Sequence, residues 1–146
     1  MPVLVLDFDG VLAIPWTDPV KIFPQIPALL ERLSKKHTLA LASFNPTAIA
    51  ELRKNELLQY FTVTRAGTHE NREITEFITD LGPLCKAAQI HSIGTEHLPT
   101  VDWSDFYFFD DDAHNLANVF RRLPQVHLTL VESNHGLTQE MLADLL

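Results

Sequence analysis

The chain has 146 residues, 46% of them hydrophobic and 21% charged, with a formal net charge of −8. That is about one ordinary domain with enough apolar material for a core, and its negative charge opposes generic binding to nucleic-acid backbones and anionic membrane surfaces. The lone cysteine, Cys85, allows no intrachain disulfide, and the first apolar run is broken at Asp7, too early for a signal h-region or a membrane span; a cytoplasmic protein is the expectation.

Val3 to Leu6 is an uninterrupted apolar strand that runs into Asp7-Phe8-Asp9-Gly10. Residues 13 to 24 (AIPWTDPVKIFP) are too few and too proline-rich for a folded cap. Pro24 to Leu33 carries Ile26, Leu29, Leu30 and Leu33 at helical spacing. Thr38 to Ser43 (TLALAS) is a second strand, and Asn45-Pro46 then supplies a cap and a favoured first residue for a helix to about Leu58. Phe61 to Arg65 is a third strand. The next stretch, residues 66 to 85, is the least regular. It holds a helical piece around Glu73 to Leu81 stopped by Gly82-Pro83, and can supply at most a small flap. A helix from about Leu84 to Ile93, a strand from Asp105 to Phe109 (DFYFF), a helix from His114 to Leu123, a strand from His127 to Val131 and a closing helix from Leu137 to Leu146 complete the chain. Strands separated by helices imply right-handed crossovers, hence an α/β doubly wound parallel sheet covered on both faces, in a single domain over residues 1–146.

In such a sheet the C-terminal ends of the strands share one edge, where ligands bind at the switch in strand order. Three strands end there in polar groups: Asp7 with Asp9, then Ser43, then Asp110 with Asp111 and Asp112. Taken alone, Asp7 and Ser43 read first as turn or cap residues, and the acidic run reads equally well as a solvated loop and cap; it is their meeting at one edge that points to a site. Several ionised carboxylates share a small volume only around a positive charge. Oxygen ligands without histidine or cysteine partners favour a hard cation, and a few carboxylates beside a phosphate are the habit of Mg2+. The seven histidines are dispersed and lack zinc-site spacing. Trp16 and Trp103 read as packing residues rather than a base-stacking platform.

These residues carry a resemblance. DFDGVL at Asp7 to Leu12 resembles the first motif of the haloacid dehalogenase superfamily, a nucleophilic aspartate, any residue, then a second aspartate; Ser43 after its strand resembles the second motif, and FFDDDAHN at residues 108 to 115 the fourth. Within the superfamily the chain is most similar to the small, capless, magnesium-dependent phosphatases. The resemblance spans essentially the whole chain and implies a five-stranded Rossmann-like sheet in the order 3-2-1-4-5 without a large cap. It implies that Asp7 attacks phosphorus to give an aspartyl-phosphate and that Asp9 is the acid/base. Dehalogenase relatives lack an acid at the second position, so Asp9 argues for phosphoryl transfer. Gly10, Ser43, Phe44 and Lys86 are the implied substrate contacts, and Asp7, the Asp9 carbonyl and Asp110 or Asp111 the Mg2+ ligands. Lys86 is the choice for the third-motif cation, with Arg72 and Arg65 as alternatives, and Asn115 is expected to fix the acidic loop by hydrogen bonding. Val11 replaces the threonine common in the first motif. Phe44 stands where some capless protein phosphatases have a basic residue, against a phosphotyrosine preference.

The expected function is therefore magnesium-dependent phosphomonoester hydrolysis, with a phosphoprotein among the candidate substrates and Trp16 and Phe44 as apolar rim contacts. The alternatives are a nucleotidase or sugar phosphatase of the same fold, and a catalytically weak phosphate-binding interaction module.

Overall fold

The computed structural model describes residues 2–67 and 85–146. The expected helix over Glu73 to Leu81, the alternative cation Arg72 and nearly all of the candidate flap lie outside the described residues.

Five parallel strands form the main sheet: β1 (Val3–Leu6), β4 (Thr38–Ser43), β5 (Val63–Ala66), β6 (Phe106–Asp110) and β7 (His127–Leu130), in the spatial order β5-β4-β1-β6-β7. Taking the five in chain order, this is the expected 3-2-1-4-5. β1 lies at the centre because all four of its residues are apolar and can be buried on both faces. Alternation along the strand splits them: Leu4 and Leu6 join Leu39, Leu41 and Phe109 on one face, while Val3 and Val5 join Ala40, Ala42, Phe106 and Phe108 on the other. The first face packs on α1 (Ile26–Ser34) through Ile26, Leu29, Leu30 and Leu33, and on α2 (Ala48–Lys54) through Ala48 and Leu52. The second packs on α3 (Lys86–His97) through Ala87, Ile90 and Ile93, and on α4 (Ala113–Arg122) through Val119. Full burial of each large aliphatic side chain contributes about 1.5–3 kcal/mol, so the sheet edge that carries the site rests on a rigid platform.

Three expectations are corrected. The helix after Asn45-Pro46 stops at Lys54 rather than near Leu58, because Glu56 takes a left-handed φ of 60° and Leu57 N–H folds back to the Leu52 carbonyl at 2.8 Å. The closing helix is absent. Leu137 N–H is held by the Val11 carbonyl, Leu142 N–H bonds three residues back to Gln139, and only a 3-10 turn forms over Glu140–Leu142. Leu137 and Leu142 are nonetheless buried, and His37 Nε2 takes up the Leu145 carbonyl. Thirdly, Trp16 does not pack: it is fully exposed, with φ 62°. It sits between β2 (Ala13–Ile14) and β3 (Lys21–Ile22), an antiparallel hairpin that the sequence pattern did not reveal. Trp103 is packed as expected, tilted against Phe106 with ring centroids 4.8 Å apart.

Candidate active site

The turn after β1 is built on Phe8. Its ring is fully buried in the core, and its carbonyl accepts from the N–H groups of Leu12 and Ala13 at 2.9 and 3.0 Å. Asp7 and Asp9, on either side of it, line one cleft of about 670 Å3. Ser43, Phe44, Lys86, Asp111, Asp112 and Asn115 line the same cleft, so ends of β1, β4 and β6 and the start of α3 converge on it. Asn45, Pro15, Trp16, Thr17, Val20 and Ser133 complete the lining.

Lys86, the first residue of α3, is 1% exposed. A cation opposes the macrodipole at a helix N-terminus, and two carboxylates offset this. Lys86 Nζ lies 2.8 Å from Asp7 Oδ1 and 3.4 Å from Asp110 Oδ2, donates to the Ala42 carbonyl, and sits 4.8 Å from the centroid of the Phe44 ring. Phe44 thus covers the ammonium as well as lining the cleft, a cation–π contact. The other candidate cation on described residues, Arg65, points elsewhere: its guanidinium bonds Ser92 Oγ at 2.9 Å and the Thr64 carbonyl at 3.0 Å, and pairs with Glu96.

Asp110 is fully buried at the end of β6. Its Oδ1 accepts from Asp112 N–H at 2.8 Å and its Oδ2 from Asn115 Nδ2 at 3.1 Å, so Asn115 does hold the acidic loop. Asp112 caps α4 by accepting from His114 N–H. The Asp111 carboxylate lies over Gly10, whose φ is 79°; a Cβ there would stand 2.2 Å from Asp111 Oδ2. Glycine is required at position 10 both for the left-handed backbone and for this approach.

Oxygen atoms of Asp7, Asp110 and Asp111 all lie within 4.8 Å of one another. Burial is the largest cause raising all three pKa values. Asp7 is pushed from 3.8 to about 6, with the Asp110 charge adding to the rise and Lys86 opposing it; Asp110 is raised despite Lys86, and Asp111 is raised further by Asp7. Three carboxylates against one ammonium leave two negative charges when all are ionised, and every donor is a hard oxygen. The set fits a divalent cation such as Mg2+.

Asp9 stands apart from that cluster. Its Oδ2 accepts from Asn45 Nδ2 at 3.1 Å, and its carboxylate is not among the three that converge. Ser43 Oγ accepts from Asn45 N–H at 3.0 Å, and the Ser43 carbonyl is held by Gln89 Nε2 at 2.7 Å. The sequence reads Asn45 as a helix cap alone, but α2 begins at Ala48 with Thr47 as its N-cap, and Asn45 shapes the turn before it. The rule that singled out Ser43, a polar residue just past a strand at the ligand edge, reaches Asn45 as well.

The family model described as acid phosphatase matches residues 15–146, beginning just after the Asp7–Asp9 segment. No curated protein matches the chain. Among solved structures, a haloacid dehalogenase-like hydrolase from Streptococcus pneumoniae aligns with a TM-score of 0.71 at 15% identity, covering 98% of this chain and 90% of that one. A phosphatase-like protein from Clostridium difficile aligns with a TM-score of 0.71 at 13% identity, over 95% and 88%. The N-terminal, phosphatase-domain part of a Bacteroides fragilis protein, complexed with Mg, aligns with a TM-score of 0.68 at 18% identity, over 98% of this chain and 39% of that one.

Proposed function

The chain belongs to the acid phosphatase family, and from that premise we propose that it hydrolyses phosphomonoesters through an aspartyl-phosphate on Asp7, with Mg2+ as cofactor. The observation that carries this reading is the buried Asp7 carboxylate, held at 2.8 Å by Lys86 in the cleft that Asp9 also lines. Lys86 fixes the nucleophile's orientation and offsets the negative charge of an arriving phosphate. Ser43, whose hydroxyl oxygen accepts from Asn45 N–H, gives its own O–H to a phosphate oxygen, whereas the expected contact from Gly10 is not carried over, because Gly10 N–H is already donated to the Ala13 carbonyl at 2.8 Å.

In the first step an Asp7 carboxylate oxygen attacks phosphorus, the bond to the leaving oxygen breaks, and Asp9 gives that oxygen its proton. In the second, water attacks the phosphorus of the acyl phosphate, Asp9 takes a proton from it, and the bond to Asp7 breaks, which restores both carboxyl groups. Asp7, Asp110 or Asp111 and the Asp9 carbonyl would hold Mg2+. When bound, the ion supplies Lewis-acid neutralisation of the phosphoryl charge.

The hairpin leaves Trp16 fully exposed beside the cleft. An exposed aromatic at the rim favours an aryl or protein-borne phosphate over a small, highly charged one. Phosphate release from matched aryl, alkyl and phosphopeptide monoesters, with Mg2+ and after exhaustive chelation, tests the reading. It requires turnover with Mg2+ and its loss with chelator. Undiminished hydrolysis after chelation overturns the metal assignment, and binding of phosphate with no turnover of any ester supports the interaction-module alternative.

A further inference from the structure

Asn45 lines the cleft, yet the reaction above gives it no part. Its amide is held from both ends. Oδ1 accepts from Thr47 N–H at 2.9 Å and from Thr47 Oγ1 at 2.7 Å, while Nδ2 donates to Asp9 Oδ2 at 3.1 Å. The Thr47 backbone N–H can only donate, so the atom facing it must be the amide oxygen. The NH2 is thereby fixed toward Asp9. The backbone is equally tied, since Asn45 N–H donates to Ser43 Oγ and Pro46 follows with a fixed φ.

We propose that Asn45 is a positioning residue for proton transfer: its Nδ2–H occupies Asp9 Oδ2 and so places the transferable proton of Asp9 on Oδ1. The carbonyl oxygen of a neutral carboxyl group is its better acceptor, so an N–H held on Oδ2 favours Oδ1 as the O–H. Among the described residues no hydrogen bond to Oδ1 competes with the substrate. Asn45 thus selects which oxygen of Asp9 protonates the leaving group and later receives the proton of the hydrolytic water. The backbone N–H of the same residue donates to Ser43 Oγ, so one residue links the acid/base to a phosphate contact. The inference rests on the assignment of Asp9 as the acid/base.

The dependence on leaving group tests it. Protonation of the departing oxygen matters for an alkyl phosphate, whose alkoxide is a poor leaving group, and little for an activated aryl phosphate such as 2,4-dinitrophenyl phosphate. Asn45→Asp keeps an acceptor for both Thr47 donors and so preserves the loop, but replaces the donor toward Asp9 with a carboxylate oxygen. Asn45→Ala removes both ends. Both variants are expected to lose on the order of tenfold or more in kcat on an alkyl phosphate and less than about threefold on the activated ester, with KM little changed. Adding Asn45→Asp to Asp9→Asn should cost almost nothing further, because the group it positions is gone. Circular dichroism and thermal melting confirm that the variants are folded. Equal losses on both esters, or none, while Asp9→Asn alone shows the leaving-group dependence, overturn the role of Asn45. Absence of that dependence in Asp9→Asn overturns the Asp9 assignment instead.

Discussion

Replacing Asp7 by asparagine should abolish turnover and, in the metal-free protein at neutral pH, make the fold more stable. Asp7 is 7% exposed, and burial raises its pKa from 3.8 to about 6 even with Lys86 at 2.8 Å. That rise corresponds to about 3 kcal/mol between the charged and neutral forms. The sign follows from proton counting. Between pH ~4 and ~6 the folded chain binds more protons at this site than the unfolded chain, so stability falls as the pH rises, and above pH ~6 the whole cost is present. Asparagine carries no charge and retains an oxygen for Lys86. In chelator at pH 7.5, Asp7→Asn should therefore exceed the wild type by up to about 3 kcal/mol, on the order of 10 °C in Tm for a chain of this size. At pH 4, where Asp7 in the fold is almost entirely protonated and so carries no buried charge, the gap should shrink below about 1 kcal/mol. Thermal or urea unfolding across pH 4–8, with the variant's mass checked against deamidation, measures this. An asparagine variant that is no more stable at pH 7.5, or a gap that does not widen with pH, would refute the reasoning.

Other substitutions read the remaining contacts. Lys86→Met leaves Asp7 and Asp110 adjacent without their shared cation. It should cost about 3–5 kcal/mol at pH 7.5, clearly less at pH 5 where Asp7 is mostly protonated, and should suppress turnover; melting curves at the two pH values check it. Gly10→Ala meets both the φ of 79° and the Asp111 carboxylate. It should weaken Mg2+ binding by about tenfold or more in calorimetric titration, as loss of a group that orients a metal ligand does. Trp16→Ala removes a fully exposed side chain. Stability should change by less than about 0.5 kcal/mol, while kcat/KM should fall roughly fivefold for aryl or peptide-borne phosphate, about 1 kcal/mol of aromatic contact, and remain unchanged for a small alkyl phosphate.

The sheet is legible in the chain because its strands hold short, continuous apolar runs, VLVL, LALA and FYFF among them, that only a two-faced core can bury. The meeting of Asp7, Ser43, Lys86 and Asp111 in one cleft follows from the rule that parallel strands share a C-terminal edge. Other features were not legible, for identifiable reasons. Strands of two residues, such as Ala13–Ile14, are too short to show a period. Leu137, Met141 and Leu145 have helical spacing, but the hydrogen bond from Leu137 N–H to Val11 is a tertiary contact that spacing does not encode. Trp16 carries the composition of a core residue and is exposed because the hairpin turns it outward. Asn45 shows how a turn residue gains a second contact: the acceptor end serves the turn after β4, and only the packing of that turn against the turn after β1 brings its donor to Asp9.

The central claim is a covalent phosphoryl group on Asp7, and rapid acid quenching of the Mg2+-supplied enzyme with a labelled phosphomonoester, followed by peptide mapping, tests it most directly. The account predicts an alkali-labile, hydroxylamine-sensitive phosphate on the peptide containing Asp7, at no more than one per chain, forming and decaying at rates consistent with kcat and absent from Asp7→Asn. Turnover without any trapped label, or label on a different residue, would contradict it.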